Sequence, residues 1–350
     1  MFTKKDFIKT CPETQMDENL TFESSAPSNI ALVKYWGKHG EQFPMNPSIS
    51  FTLNKSRTIT KAILKPSDEK TQIPRFKFFL DQQHQPDFEP KIAQFFEKIV
   101  SYVPFINRYQ WIFYSQNTFP HSSGIASSAS GLATLSKLIM NLEQKLFPES
   151  NPAYILAKTS FLARLGSGSA ARSIQHPVML WGKHPDIQDS TDLYAIKPEN
   201  ALHPVFNNFQ DTIVLVEKGQ KKVSSTAGHA LMNRHPFKEI RKQQAFDRSL
   251  RMYHILKEGN IEEFIKIVEA EALELHALMM TSEPNYILME PATLAIIKAI
   301  RQLRETANIP VCFTLDAGAN VHILYPDTVK HEVQTHLLSK IDFEQIKDYI

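Results

Sequence analysis

A serine-rich segment at residues 120–129, PHSSGIASSA, is the first place where this sequence could bind a charged ligand. It runs directly into apolar residues at helical spacing, so a loop is predicted to open a helix here. Small side chains let a phosphate approach the backbone, and the N–H groups of a helix start favour an anion. Ser127 and Ser128 would add hydroxyls for phosphate or Mg²⁺. An ordinary serine-rich loop with a serine capping the helix would look the same.

A second segment of small residues, GSGSAARS at residues 166–173, follows a predicted helix at 153–165. Ser167, Ser169 and Arg172 could together bind a carboxylate or a phosphate. Arginine suits this role because its planar guanidinium matches two oxygen atoms at once. A flexible turn carrying a surface arginine is the alternative that spacing alone leaves open.

Two further segments carry charged groups at the ends of predicted strands. Asp316 follows the apolar residues 311–315, while Lys34 and Lys38 flank an aromatic pair after residues 27–33. Asp316 could act catalytically if it faces the phosphate-binding segment, or it could form a turn by bonding nearby backbone N–H groups. The two lysines could hold an anionic substrate or lie solvated beside an aromatic turn.

The elements that must position these groups are predicted from the periodicity of the apolar residues. Alternation over residues 48–53 predicts a half-buried strand, residues 66–92 are predicted to bear loops, and the apolar run 211–216 is expected to begin a second domain. Helices are predicted at 91–103, at 153–165, from 261 to 275 and from Pro291 onward, and strands at 311–315 and 321–325. Interleaved elements without a GxGxxG motif indicate a mixed α/β sandwich rather than a Rossmann fold.

Composition excludes several classes of protein. The 350 residues carry 39 Lys and Arg against 37 Asp and Glu, a formal net charge of +2, so we expect neither nucleic-acid nor membrane binding. The two cysteines, Cys11 and Cys312, belong to no zinc-binding pattern. Free thiols, a polar leader without a signal peptide and the lack of an apolar run of about 18 residues predict a cytoplasmic protein.

Together, and in this order, the segments resemble the diphosphomevalonate decarboxylases of the GHMP kinase superfamily. SNIALVKYWGK followed by PMNPSISFTL resembles the N-terminal motif of that family, and FPHSSGIASSASG resembles the superfamily's phosphate-binding loop. GSGSAARS is similar to the family's GSGSACRS, and TLDAGANVHIL is similar to the superfamily's third motif in its decarboxylase form. The resemblance covers nearly the whole chain.

The resemblance implies an α+β, two-domain GHMP-kinase-like fold. A domain like ribosomal protein S5 domain 2 would span residues 1–208, a ferredoxin-like domain would span 209–350, and the active site would lie between them. It also implies that ATP, with Mg²⁺, phosphorylates the 3-hydroxyl of mevalonate 5-diphosphate. Phosphate and CO₂ then leave, giving isopentenyl diphosphate and ADP. A homodimer is the expected assembly.

The same resemblance implies roles for individual residues. Asp316 would orient the 3-hydroxyl, because an ordinary aspartate is ionised but weakly basic at neutral pH. Lys34 would neutralise charge near the transferred phosphate, and Arg172 would hold the substrate carboxylate. Further substrate contacts are assigned to Tyr35, Lys38, Ser167, Ser169 and Ser225, and contacts with the ATP phosphates and Mg²⁺ to Gly124, Ala126, Ser127 and Ser128.

The chain departs from the family pattern at four sites: Ala171 replaces a cysteine, His176-Pro177 a glycine pair, His229 a methionine and Ala319 a proline. The His-Pro pair alters backbone freedom beside the substrate segment. Two alternatives stay open, namely a kinase that phosphorylates a mevalonate-like alcohol and stops there, and a catalytically inactive paralogue. Because Asp316, Lys34 and Arg172 are all present, the sequence favours the decarboxylase.

Overall fold

The computed structural model describes residues 1–10, 18–69, 71–120, 127–148, 151–174, 177–198, 202–217 and 225–350 of the chain. The strands in these residues are β1 (Leu20–Val33), β2 (Lys38–His39), β3 (Phe43–Pro44), β4 (Ser48–Pro66), β5 (Phe76–Leu80), β6 (Gln83–His84), β7 (Tyr109–Asn117), β8 (Val178–Trp181), β9 (Gln210–Leu215), β10 (Cys312–Thr314), β11 (Val321–Tyr325) and β12 (Glu344–Tyr349). The α-helices there are α1 (Glu89–Ile99), α2 (Ser127–Leu146), α3 (Pro152–Gly166), α4 (Ser225–Leu231), α5 (Lys238–Glu258), α6 (Ile261–Met280), α7 (Pro291–Ala307) and α8 (Lys330–His336).

The first sheet is built around β4, a 19-residue strand that pairs antiparallel with β1, β7 and β8. β5 runs parallel to β7, giving the order β1-β4-β7-β5-β6. Tyr109, Trp111 and Phe113 of β7 are buried and alternate with less buried residues, as the two-residue period of a strand requires. They form one core with Phe95 and Phe96 of α1 and with apolar residues of α2 and α3.

The strand predicted at residues 48–53 is confirmed as the start of β4, but its predicted half-burial is wrong because both faces of β4 are buried there. On one face, Phe51 stacks on Phe264 of α6 at 5.8 Å between ring centroids. On the other face, the guanidinium of Arg172 donates a hydrogen bond to Ser48. Burial of this polar face is tolerated because its hydroxyls are hydrogen-bonded. The pairs are Ser48 with Val33, Ser50 with Asn29 and Thr52 with Pro177.

The second sheet has the order β10-β11-β9-β12, and every neighbouring pair is antiparallel. α6 and α7 pack against β10, and α6 also contacts β1 of the first sheet. Phe51 and Phe209, at 5.8 Å between centroids, belong to a core that both sheets share. The run 211–216 falls largely in β9, and the predicted boundary between residues 208 and 209 stays a prediction.

Most predicted helices are confirmed, with differences at their ends. In α3, Pro152 occupies the first turn and the Asn151 side chain accepts a hydrogen bond from the helix backbone at 2.8 Å. α7 begins at Pro291, as predicted. α1 ends at Ile99, four residues before the predicted end at 103. Residues 100–102 form a turn that leads into a 3₁₀ helix starting at Pro104, because the residue before a proline disfavours the helical conformation.

Two regions were less predictable. Residues 66–92, predicted to bear loops, also contain β5, β6 and the start of α1. The 21-residue α5 is absent from the predictions, because most of its residues are charged or polar. Across the described ranges, no helix combines the length and apolar character needed to cross a membrane.

Candidate active site

Lys34 and Asp316, predicted to share a site, form an ion pair with 3.1 Å between Nζ and Oδ1. Lys34 follows the last residue of β1, and Asp316 lies in the turn between β10 and β11. They meet because α6 packs against both β1 and β10. The Lys34 side chain is 2% exposed and that of Asp316 is 34% exposed, so the carboxylate is the accessible partner. Burial lowers the pKa of Lys34, and the carboxylates of Asp316 and Glu271 oppose that change.

The guanidinium of Arg172 lies near this pair, at the end of the buried 3₁₀ helix Gly168–Arg172. Its Nη1 donates to Ser48 Oγ, while its Nε is buried with no hydrogen-bond partner among the described residues. Burial lowers the pKa of Arg172 to about 10, and the carboxylate of Asp316 opposes that change. Arg172 therefore stays a cation at neutral pH, with an N–H that a ligand could bind.

Tyr35 is held between two aromatic side chains, with its ring centroid 4.8 Å from Trp181 and 4.3 Å from His229. Its hydroxyl is buried, and no residue of the described part bonds it. Gly168 permits the close packing, because a Cβ at that position would lie 2.6 Å from the tyrosine oxygen. Buried hydroxyls normally have a partner, so this one is a candidate ligand contact.

The two serines of the second small-residue segment lie together, with 3.3 Å between the Oγ atoms of Ser167 and Ser169. β1 anchors the segment, since Asn29 Nδ2 donates to the Ser169 carbonyl at 3.3 Å and to Ser173 Oγ at 2.7 Å. α2 packs against the same segment. The alternative of a flexible turn with a surface arginine is therefore wrong.

Lys38 and His229 lie at the other end of the aromatic pair. Lys38 is half-buried in β2, and its Nζ donates to Gln42 Oε1 at 2.7 Å. His229 is buried, and its Nδ1 accepts a hydrogen bond from Gly37 N at 2.9 Å. Burial, with the charges of Lys38 and Arg172, lowers the pKa of His229 to about 3. The imidazole is therefore neutral and carries its proton on Nε2.

A cavity of about 110 Å³ opens beside the first turn of α2. Ser127 and Ser128 line it, and Lys91 Nζ donates to Ser128 Oγ at 2.8 Å. The remaining wall is mostly apolar with a few hydroxyl and amide groups, a mixture typical of small-molecule sites. These wall residues include Thr58, Thr60, Ser115, Asn117, Phe78, Leu80, Phe88, Ile92, Leu132 and Leu135.

Some predicted residues cannot be placed in this geometry. Gly124, Ala126 and His176 lie outside the described residues. Ser225 is the first residue of α4, but its side chain lies outside the described part. Within the ranges that are described, no group of three His, Cys, Asp or Glu side chains is arranged to hold a metal ion.

The other departures from the family pattern fit the fold. Ala171 is buried in a small core with Met179 and Trp181. Pro177 comes just before β8, where proline is tolerated, and its carbonyl accepts a hydrogen bond from the β4 backbone at 2.9 Å. Ala319 is 2% exposed, and its carbonyl accepts a hydrogen bond from a threonine of α7 at 2.7 Å.

A buried charged network behind Lys34 was not predicted from the sequence. Glu271 of α6 accepts hydrogen bonds from the Lys34 backbone N–H at 2.8 Å and from both terminal nitrogens of Arg241 at 2.7 Å. Arg248 Nη1 donates to the same carboxylate at 2.7 Å. Burial alone would raise the pKa of Glu271, but the two guanidiniums outweigh it and lower that pKa. The sequence signal for this network was Glu271 itself, an acidic residue seven positions after Phe264 on the apolar stripe of α6.

Two family models match most of the chain. The diphosphomevalonate decarboxylase-like N-terminal domain matches residues 26–192, and the mevalonate 5-diphosphate decarboxylase C-terminal domain matches residues 212–349. A diphosphomevalonate decarboxylase of Candida albicans is 28% identical over 340 residues, covering 88% of this chain and 85% of the relative. That of Saccharomyces cerevisiae is 28% identical over 323 residues, covering 87% and 78%.

Solved structures agree with the sequence matches. Mevalonate diphosphate decarboxylase from Staphylococcus aureus superposes with a TM-score of 0.81 at 28% identity, over 95% of this chain and 96% of that chain. A complex of MDDEF with MVAPP, AMPPCP and magnesium gives a TM-score of 0.80 at 26% identity, over 95% and 97%. These matches confirm the predicted α+β, two-domain GHMP-kinase-like fold. The chain belongs to the diphosphomevalonate decarboxylase family.

Proposed function

We propose that the protein catalyses the ATP-dependent decarboxylation of mevalonate 5-diphosphate to isopentenyl diphosphate, ADP, phosphate and CO₂. Membership of the family supports this reaction, as does the neighbour solved with MVAPP, AMPPCP and magnesium. The observation that carries the proposal is the Lys34–Asp316 ion pair near the buried cation of Arg172, whose Nε has no described partner. Two cations around one accessible carboxylate suit a substrate that bears a hydroxyl, a carboxylate and phosphates.

Asp316 accepts a hydrogen bond from the 3-hydroxyl, which directs that oxygen toward the terminal phosphate of ATP. The hydroxyl proton leaves along this hydrogen bond as the new O–P bond forms and the bond to ADP breaks. Lys34 neutralises charge on the transferred phosphoryl group, and its burial strengthens that effect because little water screens the charge. Phosphorylation turns the tertiary hydroxyl into a good leaving group. The C–O bond to the phosphate then breaks, and so does the C–C bond to the carboxylate. The electron pair of that C–C bond forms the new C=C double bond as CO₂ leaves.

Arg172 holds the substrate carboxylate, with Ser167 and Ser169 as neighbouring hydrogen-bond partners. The contact from Arg172 to Ser48 fixes the guanidinium plane, which supports a role that depends on direction. A carboxylate held in this way stays aligned with the breaking C–O bond. Positioning of this kind is a large part of catalysis when two bonds must break in concert.

Tyr35, Lys38 and Ser225 hold the 5-diphosphate. The buried hydroxyl of Tyr35 and the half-buried cation of Lys38 support this assignment. Both residues lie near His229, so the choice between a diphosphate and a monophosphate is made at this end of the site. Comparing kcat/KM for mevalonate 5-diphosphate with that for the 5-phosphate measures the preference.

ATP binds at α2, where Gly124, Ala126, Ser127 and Ser128 hold its phosphates. The neighbouring cavity, with its apolar wall and the Lys91–Ser128 contact, supports placing the nucleotide there. Mg²⁺, when bound, neutralises charge on the ATP phosphates. The hydroxyls of Ser127 and Ser128 are hard oxygen ligands of the type that this ion accepts.

Product analysis tests the proposed reaction. Protein supplied with ATP, Mg²⁺ and mevalonate 5-diphosphate should release isopentenyl diphosphate, identified by mass spectrometry. A phosphorylated product that keeps its carboxylate would instead indicate a kinase.

We extend the proposal to a cytoplasmic homodimer, which the family resemblance supports, and light scattering of the purified protein measures the assembly.

A further inference from the structure

One helix touches the backbone of both members of the Lys34–Asp316 pair. Glu271 of α6 accepts a hydrogen bond from Lys34 N at 2.8 Å, and His276 Nε2 lies 3.2 Å from the main-chain carbonyl oxygen of Asp316. The two α6 residues are five positions apart, which is about 7.5 Å along a helix axis. Because a helix is stiff over that length, α6 links the two halves of the ion pair.

The backbone of Lys34 needs such support because β1 ends at the residue before it. A buried N–H or C=O beyond a strand must find another partner. The Lys34 N–H donates a hydrogen bond to the Glu271 carboxylate. The Lys34 carbonyl accepts hydrogen bonds from Asn46 Nδ2 at 3.0 Å and from Arg241 Nη2 at 3.1 Å. The main chain is therefore held on both sides of the residue, mainly by α5 and α6.

Arg241 and Arg248 of α5 offer an internal comparison. Both pair with Glu271 and with Glu274, so both join α5 to α6. Arg241 also bonds the Lys34 carbonyl, and no such bond is present for Arg248 within the described residues. Arg241 is 2% exposed and Arg248 is 19% exposed, so their effects on stability differ and turnover is compared only between folded variants. Among folded variants, a role in placing Lys34 would belong to Arg241.

We propose that Glu271 and Arg241 are positioning residues for Lys34, and that His276 is one for Asp316, so that α6 sets the separation of the two reacting side chains. The inference rests on the proposed function, because it gives Lys34 and Asp316 their roles. Small displacements of a reacting group reduce rates by about 10²-fold. The predicted defect therefore appears in kcat, while KM for ATP changes little.

The matched variants Arg241→Lys and Arg248→Lys test this at a temperature where melting curves show both to be folded. We expect Arg241→Lys to lower kcat by about 10- to 100-fold with KM for ATP within about two-fold, and Arg248→Lys to stay within about three-fold of the parent. Equal turnover of the two variants would overturn the role of Arg241. If Arg241→Lys does not fold, His276→Phe and His276→Gln replace it. The Phe variant should lose turnover, and the Gln variant, which keeps a donor, should recover it.

A titration of Lys34 by NMR, with its signal assigned from a Lys34→Met variant, needs no turnover. Several charged or titratable groups face this ammonium group from different elements. They are Asp316, Glu271, Arg172 and His276. Because the Glu271 charge raises the pKa of Lys34, Glu271→Gln should lower that pKa further. Glu274→Gln, which keeps the Lys34 contacts, should leave it unchanged.

The two kinds of measurement separate the two claims. If the parent protein releases no CO₂ but Glu271→Gln lowers the pKa of Lys34 and Glu274→Gln does not, the proposed reaction fails and the link between α6 and Lys34 stands. If the parent decarboxylates but Arg241→Lys matches Arg248→Lys in turnover, the reaction stands and the positioning role fails. Equal Lys34 pKa values in the two glutamine variants would also overturn that role.

Discussion

The proposed site has two regions, one around the Lys34–Asp316 pair and one at the α2 cavity beside Lys91. The surroundings of these two lysines differ. Lys34 is 2% exposed, its Nζ pairs with Asp316, and its backbone is hydrogen-bonded on both sides. Lys91 is an exposed residue of α1, and its Nζ donates to the hydroxyl of Ser128. The Lys34 cation is enclosed by buried protein, whereas the Lys91 cation lies on an exposed side chain.

This difference separates chemistry from binding. A group that acts on a reacting bond gains from a fixed position, because small displacements reduce the rate steeply. A lysine that binds a triphosphate can act as a point charge from many directions. Changes around Lys34 should therefore reduce kcat, whereas changes around Lys91 should raise KM for ATP.

The largest effect is expected for Asp316→Ala, which removes the group that we propose orients the substrate hydroxyl. We expect kcat to fall by about 10³-fold or more, within the range for loss of a catalytic group. ATP binding, measured by calorimetry, should survive because the α2 cavity does not contain Asp316. Turnover close to that of the parent protein would show that the fixed ion pair does not take part in the chemistry.

Arg172→Lys should reduce kcat by about 10²-fold, because an ammonium group cannot hold a carboxylate in two directions. Steady-state kinetics with mevalonate 5-diphosphate measures the change. Arg75→Lys is the matched control, since Arg75 is exposed and pairs only with Glu69 among the described contacts. Normal kcat and KM for Arg172→Lys would contradict the carboxylate role.

Two buried histidines near the Lys34–Asp316 pair, His229 and His276, should also make the stability of the protein depend on pH. Burial lowers the pKa of His229 to about 3 and that of His276 to about 4. In the unfolded chain these groups titrate near pH 6.5, so below that pH the unfolded state binds more protons and stability falls. From pH 7 to pH 5, each histidine should contribute a loss of about 2 kcal/mol in the free energy of unfolding. Urea unfolding at the two pH values measures the loss.

His229→Met supplies the control for this pH dependence, because methionine does not titrate. The variant should lose about 2 kcal/mol less than the parent between pH 7 and pH 5. An identical loss in both proteins would mean that His229 is not held neutral. The His229→Met protein also tests whether the histidine alters the preference for a diphosphate.

The smallest effect is expected for Lys91→Ala. Loss of one exposed cation near the proposed site of the ATP phosphates should raise KM for ATP by about 3- to 10-fold and leave kcat within about two-fold. Lys65→Ala, at an exposed position of β4, is the control and should change neither value. A large fall in kcat for Lys91→Ala would show that Lys91 also acts in the chemical step.

Local signals made part of the fold predictable from the sequence. Pro291 marks a helix start because proline suits the first turn, and α7 begins there as predicted; α3, predicted from residue 153, begins one residue earlier at Pro152. The meeting of Lys34 with Asp316, 282 positions apart, was predictable only through the family resemblance. Spacing along a chain carries no information about such a distant contact.

The charged network could not be predicted from periodicity. α5 buries Arg241 among mostly polar neighbours, so no apolar stripe marks its inner face. Glu271 lies on an apolar stripe, but a single sequence does not reveal which partners neutralise it. The burial of β4 on both faces was missed for the same reason, because hydroxyls that are satisfied by distant groups look like a solvent-facing row.

The proposed reaction is tested by measuring ADP and CO₂ together, in one reaction supplied with ATP, Mg²⁺ and mevalonate 5-diphosphate. We expect equal amounts of the two products from the parent protein, and loss of both in Asp316→Ala. ADP without CO₂ would contradict decarboxylation and indicate a kinase. Neither product, from folded protein that still binds ATP, would contradict the proposed activity on this substrate.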